Sequence, residues 1–585
     1  MKSFLASVSL FVFALSAMPL NLKANATGKT EPSAIRITPP APKFTDAERQ
    51  AELAGRRAKV FARMDDKSVL ILFSAQPKIY TNDVDFMYRQ ENNLYYLTSL
   101  KQNNATLVLI KDGTQQRETL FLPKRNPANE TWNGKMYSGE DATRISGIKT
   151  VSDASERDAF LNAIKDKTIS SFSAENIYLL LPGGSNDADG MREFVKESEF
   201  AKNLNGFKVK NAQPIFANLR LTKSPYETKV LQHAIDITTE AQMRSMAMVG
   251  RAKWEYEVQA EVEYTFRRRN ADYWGYPSIV GCGPNATTLH YVESQGEVKQ
   301  GDLMLMDVGA EYDHYTADVT RTYPVNGKFT KEQAEIYQIV YDAQESAVKN
   351  LKPGVKFSDA SQAAAKTIEE GLAKLGLITA VGALVPGTER EVPDGKGGKR
   401  KEGMPQYRLW YMHGLGHWLG MNVHDVGDYA KPLQAGSVFT NEPGIYIRED
   451  ALNYFPDTPE VKAFIAKIKP AFEKYKNIGV RIEDDILVTE TGFEWMTKNL
   501  PRKLSEIEAL MAKASKEMPY AGLPQQTNPG FAVLGKYNLA ADNFDWNPFV
   551  SNEIMNGKTV RRGWISTGRE TTFSGSHHGE HSHGE

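Results

Sequence analysis

The sequence predicts an α/β (α+β) protein in which an N-terminal α/β domain, residues 47–222, is followed by a larger mixed domain, residues 223–516. The 585 residues are too many for one ordinary core, and 41% of them are apolar, as in soluble globular proteins. Helical and strand-like patterns alternate along the chain. A formal net charge of -1 gives no electrostatic reason to expect nucleic acid or an anionic membrane as a partner.

The N-terminus has the pattern of a secretory signal peptide, residues 1–26. Lys2 is followed by an uncharged apolar stretch at 4–20, and Ala24-Asn25-Ala26 offers a cleavage site with small residues. A retained anchor helix is the alternative, but Pro19 and the short apolar stretch disfavour it, since a span needs about 20 residues. The pattern predicts an exported protein, periplasmic or secreted, with no membrane span once the peptide is removed.

The N-terminal domain follows a linker, residues 27–46, that is rich in proline, threonine and serine. An amphipathic helix is predicted at 47–64. The later predicted elements are strands at 68–73, 93–100, 105–111 and 118–124, then helices at 156–163 and 189–202. Asp112-Gly113 predicts a hairpin turn between the last two strands.

A helix N-terminus marks the start of the second domain. Ser224 as N-cap, Pro225 at the first helical position and Glu227 at the third form a capping box. Thr330 and Gln333 form another. The predicted elements are helices at 224–248, 254–268, 330–350, 359–375 and 458–476, two strands within 276–291, of which the second carries His290, a hairpin at 302–325, a strand at 479–488, and a surface loop or lid at 379–406.

Two further features are weak signals of chemistry. Cys282 is the only cysteine, so no intramolecular disulfide can form. Between two glycines it is interpreted as a buried residue rather than a reactive nucleophile. Residues 517–585 form a C-terminal extension that ends in a His-rich tail. Its histidines could bind metal weakly, but a solvated tail without function is the favoured interpretation: His577, His578, His581 and His583.

Acidic residues occur within strongly apolar stretches of the second domain. Asp307 and Asp318 lie on opposing strands of the 302–325 hairpin, and Glu483 lies in the 479–488 strand. A carboxylate in a buried strand costs several kcal/mol unless it is paired or bound to a metal. Each could instead pair with an arginine or cap a turn. Glu442 supplies a fourth carboxylate, so the chain has a candidate metal or acid–base centre.

Three histidines lie near Glu442 in the sequence, namely His413, His417 and His424. The glycines in HGLGH argue against a helix, so this is not the helical zinc signature. Carboxylates with one imidazole suit two divalent ions such as Mn²⁺ better than one structural Zn²⁺. Four carboxylates would over-neutralise one divalent ion and would balance two. The sequence therefore predicts a binuclear centre.

These residues stand in motifs that resemble a known enzyme family. The segments are YPSIVGCG, LHY, DVGAEYDHYTADVTRTYPVNGKF, MHGLGHWLGMNVHDVG, NEPGIYI and GVRIEDDILVTETG. They resemble the Xaa-Pro aminopeptidase (aminopeptidase P) branch of the pita-bread metallopeptidases, and the resemblance extends over residues 56–513. It implies a C-terminal pita-bread catalytic domain preceded by the N-terminal domain of that family.

The resemblance implies the metal ligands in chain order. Asp318 and Glu483 would bridge two ions, and Asp307 would ligate one of them. His417 and Glu442 would hold the other ion. A hydroxide shared by the two ions would attack the peptide bond. Glu442 is also the candidate proton shuttle, taking a proton from water and delivering it to the leaving nitrogen.

Two further candidates rest on the resemblance: His290 and His424 match positions that contact the substrate and stabilise the oxyanion. Arg481 is a catalytic candidate because it lies two residues before Glu483, on the same face of the strand, where it would pair with a ligand carboxylate or approach the substrate. His413 and Tyr446 are candidate substrate-binding residues, although His413 could instead orient a ligand.

The implied function is a metal-dependent aminopeptidase that removes the N-terminal residue from peptides whose second residue is proline. A prolidase restricted to Xaa-Pro dipeptides is one alternative. A non-catalytic pita-bread binding module is another, disfavoured because all five ligand positions are kept.

We expect a homo-oligomer. Trp132 could line a proline-binding wall, but a core or interface position is favoured. The sequence departs from the family in its signal peptide, the charged loop at 387–404, the helix at 458–476 and the tail.

Overall fold

The computed structural model describes residues 33–169, 172–184, 187–393 and 399–518, together with the short paired strands Glu553–Met555 and Lys558–Val560. The predicted signal peptide, linker residues 27–32 and the His-rich tail lie outside the described residues.

The N-terminal domain is built on one mixed sheet. Its strands are β1 (Ser68–Phe73), β2 (Ile79–Thr81), β3 (Val84–Asp85), β4 (Thr106–Asp112), β5 (Gln115–Leu122), β6 (Val151–Asp153), β7 (Asn176–Leu179) and β8 (Lys208–Asn211). Its helices are α1 (Asp46–Arg63), α2 (Asn92–Thr98), α3 (Pro127–Asn133), α4 (Gly139–Ser146), α5 (Arg157–Lys165), α6 (Ala188–Glu193), α7 (Val195–Ala201) and α8 (Gln213–Arg220). The strand order is β6-β5-β4-β1-β7-β8, while β2 and β3 form a separate hairpin.

One predicted strand of this domain is wrong. Residues 93–100 form α2, a helix capped by Glu91, whose side chain accepts hydrogen bonds from two backbone N–H groups of the first turn. Every residue of α2 is buried, so its apolar residues follow no helical stripe that the sequence could reveal. The helix ends where Ser99 adopts a left-handed conformation. The other three predicted strands and the Asp112-Gly113 hairpin are confirmed, and the predicted helix at 189–202 is divided into α6 and α7.

The second domain surrounds several small antiparallel sheets with long helices. The helices are α9 (Pro225–Met248), α10 (Glu255–Arg268), α11 (Lys331–Val348), α12 (Phe357–Leu375), α13 (Pro459–Tyr475) and α14 (Leu504–Glu517). The strands are β9 (Tyr273–Trp274), β10 (Ile279–Cys282), β11 (Leu303–Val308), β12 (Ala310–Tyr312), β13 (Tyr315–Thr316), β14 (Val319–Pro324), β15 (Arg390–Pro393), β16 (Lys399–Glu402), β17 (Val438–Asn441), β18 (Gly444–Tyr446), β19 (Gly479–Arg481), β20 (Asp484–Val488) and β21 (Phe493–Trp495). Strands β10, β11 and β14 form one sheet, β17, β20 and β21 another, and β18 pairs with β19.

Local signals in the second domain predict its helices well. The side chains of Ser224 and Glu227 close the capping box of α9, and those of Thr330 and Gln333 close that of α11. The inserted helix at 458–476 is confirmed as α13. The charged loop at 379–406 contains the hairpin of β15 and β16, which the sequence did not predict.

Three single-residue expectations have clear outcomes. Cys282 is buried, and burial raises the pKa of its thiol to about 12, so the interpretation as an unreactive buried residue is confirmed. The predicted strand around His290 is wrong, because a 3-10 turn, Gly283–Thr287, leads into an irregular loop. Of the two favoured positions for Trp132, the core is wrong, since this residue on α3 is 87% exposed, and the interface stays a prediction.

The two domains share an apolar core beside the site. Leu94 and Leu97 of α2 belong to the same buried cluster as Leu231 of α9 and as Leu419 and Met421. The chain that follows His417 is therefore packed against the N-terminal domain. Within the described residues, no helix has the length and apolar character needed to cross a membrane.

Candidate metal centre

Asp307 and Asp318 enter the site from neighbouring strands. Asp307 lies on β11 opposite Thr320 of β14, and Asp318 directly precedes β14. The hydroxyl oxygen of Tyr276 lies 2.6 Å from Oδ1 of Asp307 and 2.5 Å from Oδ1 of Asp318. The hydroxyl donates towards both carboxyl groups and shares its single proton between them. Tyr276 thus brings the two acids into one hydrogen-bonded unit.

His417 and Glu442 are placed by the pairing of two chain segments. The N–H of Thr440 donates to the carbonyl of His417 (2.9 Å), and the N–H of Glu442 donates to the carbonyl of Leu415 (2.8 Å). A Cβ atom at Gly416 would lie 1.9 Å from the carbonyl oxygen of Thr440, so the close approach requires glycine. The pairing sets the imidazole beside the Glu442 carboxyl group.

The His417 ring presents one nitrogen to two acids. Nε2 lies 3.3 Å from Oδ2 of Asp318 and 3.3 Å from Oε1 of Glu442. Nδ1 lies 3.2 Å from the carbonyl oxygen of Trp418, which can only accept a hydrogen bond, so Nδ1 carries a proton. In the neutral ring Nε2 then keeps its lone pair, which is the form of histidine that binds metals.

Glu483 completes the group from the turn between β19 and β20. Its Oε2 accepts a hydrogen bond from the Thr320 hydroxyl (2.6 Å), and its N–H donates to the Thr320 carbonyl (3.1 Å). One ligand atom each from Asp318, His417 and Glu483 lies within 4.8 Å of the others. Three distant parts of the chain therefore converge on one point.

The acidic groups carry more negative charge than their surroundings neutralise. Burial, followed by the neighbouring acids, raises the pKa of Asp318 and of Glu483 well above the usual range, and burial also raises the pKa of Glu442. Burial pushes the pKa of Asp307 upward too, but Arg481 and the hydrogen bonds to this acid outweigh it and hold the pKa below its ordinary value. Divalent cations would offset the remaining charge. An oxygen-rich donor set with one imidazole fits such ions.

Arg481 connects Asp307 to a buried chain of hydrogen bonds. Its Nη2 donates to Oδ2 of Asp307 (2.6 Å), and its Nη1 donates to the Tyr446 hydroxyl (2.8 Å). Burial, with the positive charge of Arg481, lowers the pKa of His413 to about 3, so this ring is neutral. Nδ1 of His413 donates to the Gly414 carbonyl and Nε2 accepts from Tyr446, each at 2.8 Å. This geometry favours His413 and Tyr446 as supports of Arg481 over contact with substrate.

His290 and His424 lie on the exposed side of the group. His290 is exposed in the loop that follows the 3-10 turn, and it lies near enough to His413 and His424 to contribute to the lowering of their pKa values. The ring of His424 packs against that of His417, with centroids 4.1 Å apart and an angle of 61° between the planes. The exposed side is where a substrate could reach the centre.

Four polar residues of the site were not predicted: Tyr276, Thr320, Thr440 and Asp485. Thr320 stands two residues after Asp318, and Thr440 stands two residues before Glu442. In a strand this spacing places two side chains on the same face, so the period of two could have revealed both threonines. Nothing local marks Tyr276. Asp485 accepts a hydrogen bond from the N–H of Asp318 (3.3 Å), a contact that only the fold creates.

Comparisons with known proteins place both domains. The family described as metallopeptidase family M24 matches residues 229–490, and the aminopeptidase P N-terminal domain matches residues 53–170. The Xaa-Pro aminopeptidase of Haemophilus influenzae is 35% identical over 465 residues, which are 79% of this chain and 97% of that protein. The chain belongs to metallopeptidase family M24.

Solved structures of family M24 proteins have the same architecture. Aminopeptidase P from Escherichia coli with the inhibitor Pro-Leu is 32% identical, with a TM-score of 0.65 that covers 81% of this chain and 100% of that one. Proline aminopeptidase P II from Yersinia pestis is 31% identical, with a TM-score of 0.64 that covers 79% of this chain and 99% of that one. The predicted fold class, an N-terminal α/β domain before a pita-bread catalytic domain, is confirmed.

Proposed function

We propose that this family M24 protein is an Xaa-Pro aminopeptidase, a metal-dependent enzyme that removes the N-terminal residue from peptides whose second residue is proline. The observation that carries the proposal is the convergence of Asp318, His417 and Glu483 within 4.8 Å. It occurs in a chain that spans 97% of an Xaa-Pro aminopeptidase. Loss of ligand positions would be expected of a non-catalytic binding module, and all five positions are present.

Proline in the second position makes the scissile bond a special substrate. The bond is a tertiary amide without an N–H group, so peptidases that hydrogen-bond that group handle it poorly. Such a bond must be attacked by other means. Divalent ions in a site of this kind activate water and polarise the scissile carbonyl.

The side chains of this protein would then manage the proton and the developing charge. Glu442 is the proposed proton carrier, taking a proton from the attacking water and delivering it to the proline nitrogen. Its carboxyl group suits this role because it lies at the centre, 3.3 Å from Nε2 of His417. His290 and His424, on the exposed side, are the proposed donors to the oxyanion. Arg481 holds Asp307 in place through the hydrogen bond between β19 and β11.

Two ions are proposed for the centre, with Mn²⁺ as the metal. Asp318 and Glu483 would bridge them, Asp307 would ligate one ion, and His417 with Glu442 the other. The support is the donor chemistry, four carboxyl groups and one imidazole, together with the charge that two divalent ions would balance.

One assay tests the function against the prolidase alternative. Chelated protein is supplied with Mn²⁺ and offered an Xaa-Pro-Xaa tripeptide, an Xaa-Pro dipeptide, and a tripeptide with alanine in place of proline. We expect the first residue to be released from the proline tripeptide only after metal is restored, and the alanine tripeptide to be a poor substrate. Turnover of the dipeptide alone would identify a prolidase.

Export and self-association are further proposals. The first 26 residues have the pattern of a signal peptide, so the mature protein, periplasmic or secreted, should begin at Thr27, which N-terminal sequencing would test. A homo-oligomer is supported by the 87% exposure of Trp132, because a tryptophan on a protein surface is a common interface residue. Light scattering after size-exclusion chromatography would give the mass of the assembly.

A further inference from the structure

The segment from Trp418 to Asp425 forms a closed loop that directly follows His417 and contains His424. The N–H of Asp425 donates to the carbonyl of Trp418 (2.8 Å), which closes the loop. The N–H of Thr316 donates to the carbonyl of Gly420 (2.9 Å), which ties the loop to the strand before Asp318. Further polar contacts reach this segment from the N-terminal domain.

The residues before and at the start of α2 bind the tip of the loop. Nη2 of Arg89 donates to the carbonyl of Met421 (2.6 Å), and Nδ2 of Asn92 donates to Oδ1 of Asn422 (2.7 Å). Arg89 is itself held, because Nη1 donates to Oδ1 of Asn92 (2.8 Å) and Nε donates to Glu311 (2.8 Å). The tip is thus bonded through both a main-chain and a side-chain atom.

A buried ion pair binds the end of the loop beside His424. Nη2 of Arg220, the last residue of α8, donates to Oδ1 of Asp425, and both side chains are buried. Nη1 of Arg220 donates to Oδ1 of Asn93 in α2 (2.9 Å), and Nζ of Lys223 lies 3.5 Å from Oδ2 of Asp425. The arginine therefore connects α2 and α8 to the residue that directly follows His424.

We propose that Arg89, Asn92 and Arg220 of the N-terminal domain are positioning residues for catalysis. Together they fix the main chain from Met421 to Asp425 and so hold the His424 imidazole against His417. This inference rests on the proposed function, in which His424 stabilises the oxyanion. A ring placed by a bonded loop can present its nitrogen to a developing charge without reorganising, whereas a mobile ring cannot.

We call Arg89, Asn92 and Arg220 the clamp. The test compares variants of two clamp residues with a control variant elsewhere in the N-terminal domain. Asn92→Ala removes the hydrogen bond to the loop tip. Arg220→Lys keeps a positive charge beside Asp425 but loses the second guanidinium nitrogen, which donates to Asn93. Tyr178→Phe is the control. Tyr178 is buried on β7 of the N-terminal domain, and its hydroxyl donates to Oδ2 of Asp65 (2.8 Å), so this variant loses a hydrogen bond that involves neither α2 nor the loop.

Three quantities are measured on metal-loaded protein: kcat and KM for an Xaa-Pro tripeptide, bound metal, and hydrogen exchange of the backbone from 418 to 426. We expect both clamp variants to lower kcat about tenfold with KM within about twofold, since small misplacements of catalytic groups have effects of this order or larger. Metal content should stay at the wild-type level and exchange of the loop should become faster. Tyr178→Phe should change neither kcat nor loop exchange, even where it lowers the melting temperature.

Unchanged kcat in the clamp variants, or an equal loss in Tyr178→Phe, would overturn the inference. If Arg220→Lys does not fold, Asn92→Ala decides, because Asn422 is exposed and water can replace its lost partner. Hydrogen exchange of the loop backbone can be measured whether or not the protein cleaves a peptide. A wild-type protein that cleaves no Xaa-Pro peptide would count against the proposed function, and unchanged exchange in Asn92→Ala would still overturn the clamp.

Discussion

The Arg481 guanidinium donates to Asp307 at 2.6 Å while its other terminal nitrogen donates to Tyr446 at 2.8 Å. Both partners are buried, and the pair crosses from β19 to β11. The fork shape of arginine makes two such bonds at once, which the single ammonium group of lysine cannot reproduce. The pair is therefore a sensitive point for testing how Asp307 is oriented.

Arg481→Lys should lower kcat/KM by about 10- to 100-fold, because residues that orient ligands commonly have effects of this size. Positive charge remains near Asp307, so we expect the protein to fold. Arg244→Lys is the control, since the ion pair of Arg244 with Glu261 joins α9 to α10 rather than to a ligand-bearing strand, and this variant should keep its activity. Steady-state kinetics on an Xaa-Pro tripeptide would measure both. A fully active Arg481→Lys variant would contradict the orienting role.

His417→Ala should lose bound metal and turnover together, while the fold stays intact by circular dichroism. His424→Ala should keep its metal and lose turnover, because the acids and His417 converge without it. Metal analysis by mass spectrometry, beside the peptide assay, separates the two roles. Metal loss in His424→Ala would show that this residue is a ligand rather than a group that meets the substrate.

Gly416→Ala should disrupt the centre although it changes no polar group. The added methyl would lie 1.9 Å from the Thr440 carbonyl oxygen and would force apart the segments that hold His417 and Glu442. A loss of metal affinity of about 10- to 100-fold is expected, as for other losses of ligand support. Gly414→Ala is the matched control, two residues away, where a Cβ meets nothing within 4 Å. Equal behaviour of the two variants in metal titrations would refute the packing argument.

Metal binding should tighten as the pH rises. The pKa values of Asp318, Glu483 and Glu442 are raised, so these groups hold protons that an ion must displace. In metal-free protein the folded state binds more protons than the unfolded state, so its free energy of unfolding should fall as the pH rises. Melting curves with chelator and with Mn²⁺, between about pH 5 and about pH 8, should diverge towards the alkaline end. Curves that stay parallel would refute the coupling.

The elements that the sequence predicted correctly carry their signals within a few residues. The capping boxes of Ser224 and Thr330 are examples, since each is a contact between a residue and another three positions along. The apolar strands of the metal centre are similar, because acidic residues such as Asp307 are conspicuous among buried apolar neighbours. The candidate ligand set could therefore be chosen before any distance was known.

The failures have a common physical cause. Helix α2 was predicted as a strand because burial on all sides removes the polar face that reveals helical period. The loop at His290 was predicted as a strand because its shape depends on contacts with distant residues, among them the Tyr291 hydroxyl donating to Glu255. The local sequence pattern contains no information on the burial of α2 or on the hydrogen bond from Tyr291 to Glu255.

The sequence by itself determined the family, the candidate ligands and most of the helices, because these depend on residue identity and on spacing of a few positions. Only the tertiary structure decided that Tyr276 joins Asp307 to Asp318 and that Tyr446 supports Arg481. It also decided that the N-terminal domain binds the loop before His424 through hydrogen bonds. Such contacts join residues that are far apart in the chain. They follow from strand register and domain packing, which arise from the sum of many weak contacts rather than from any one motif.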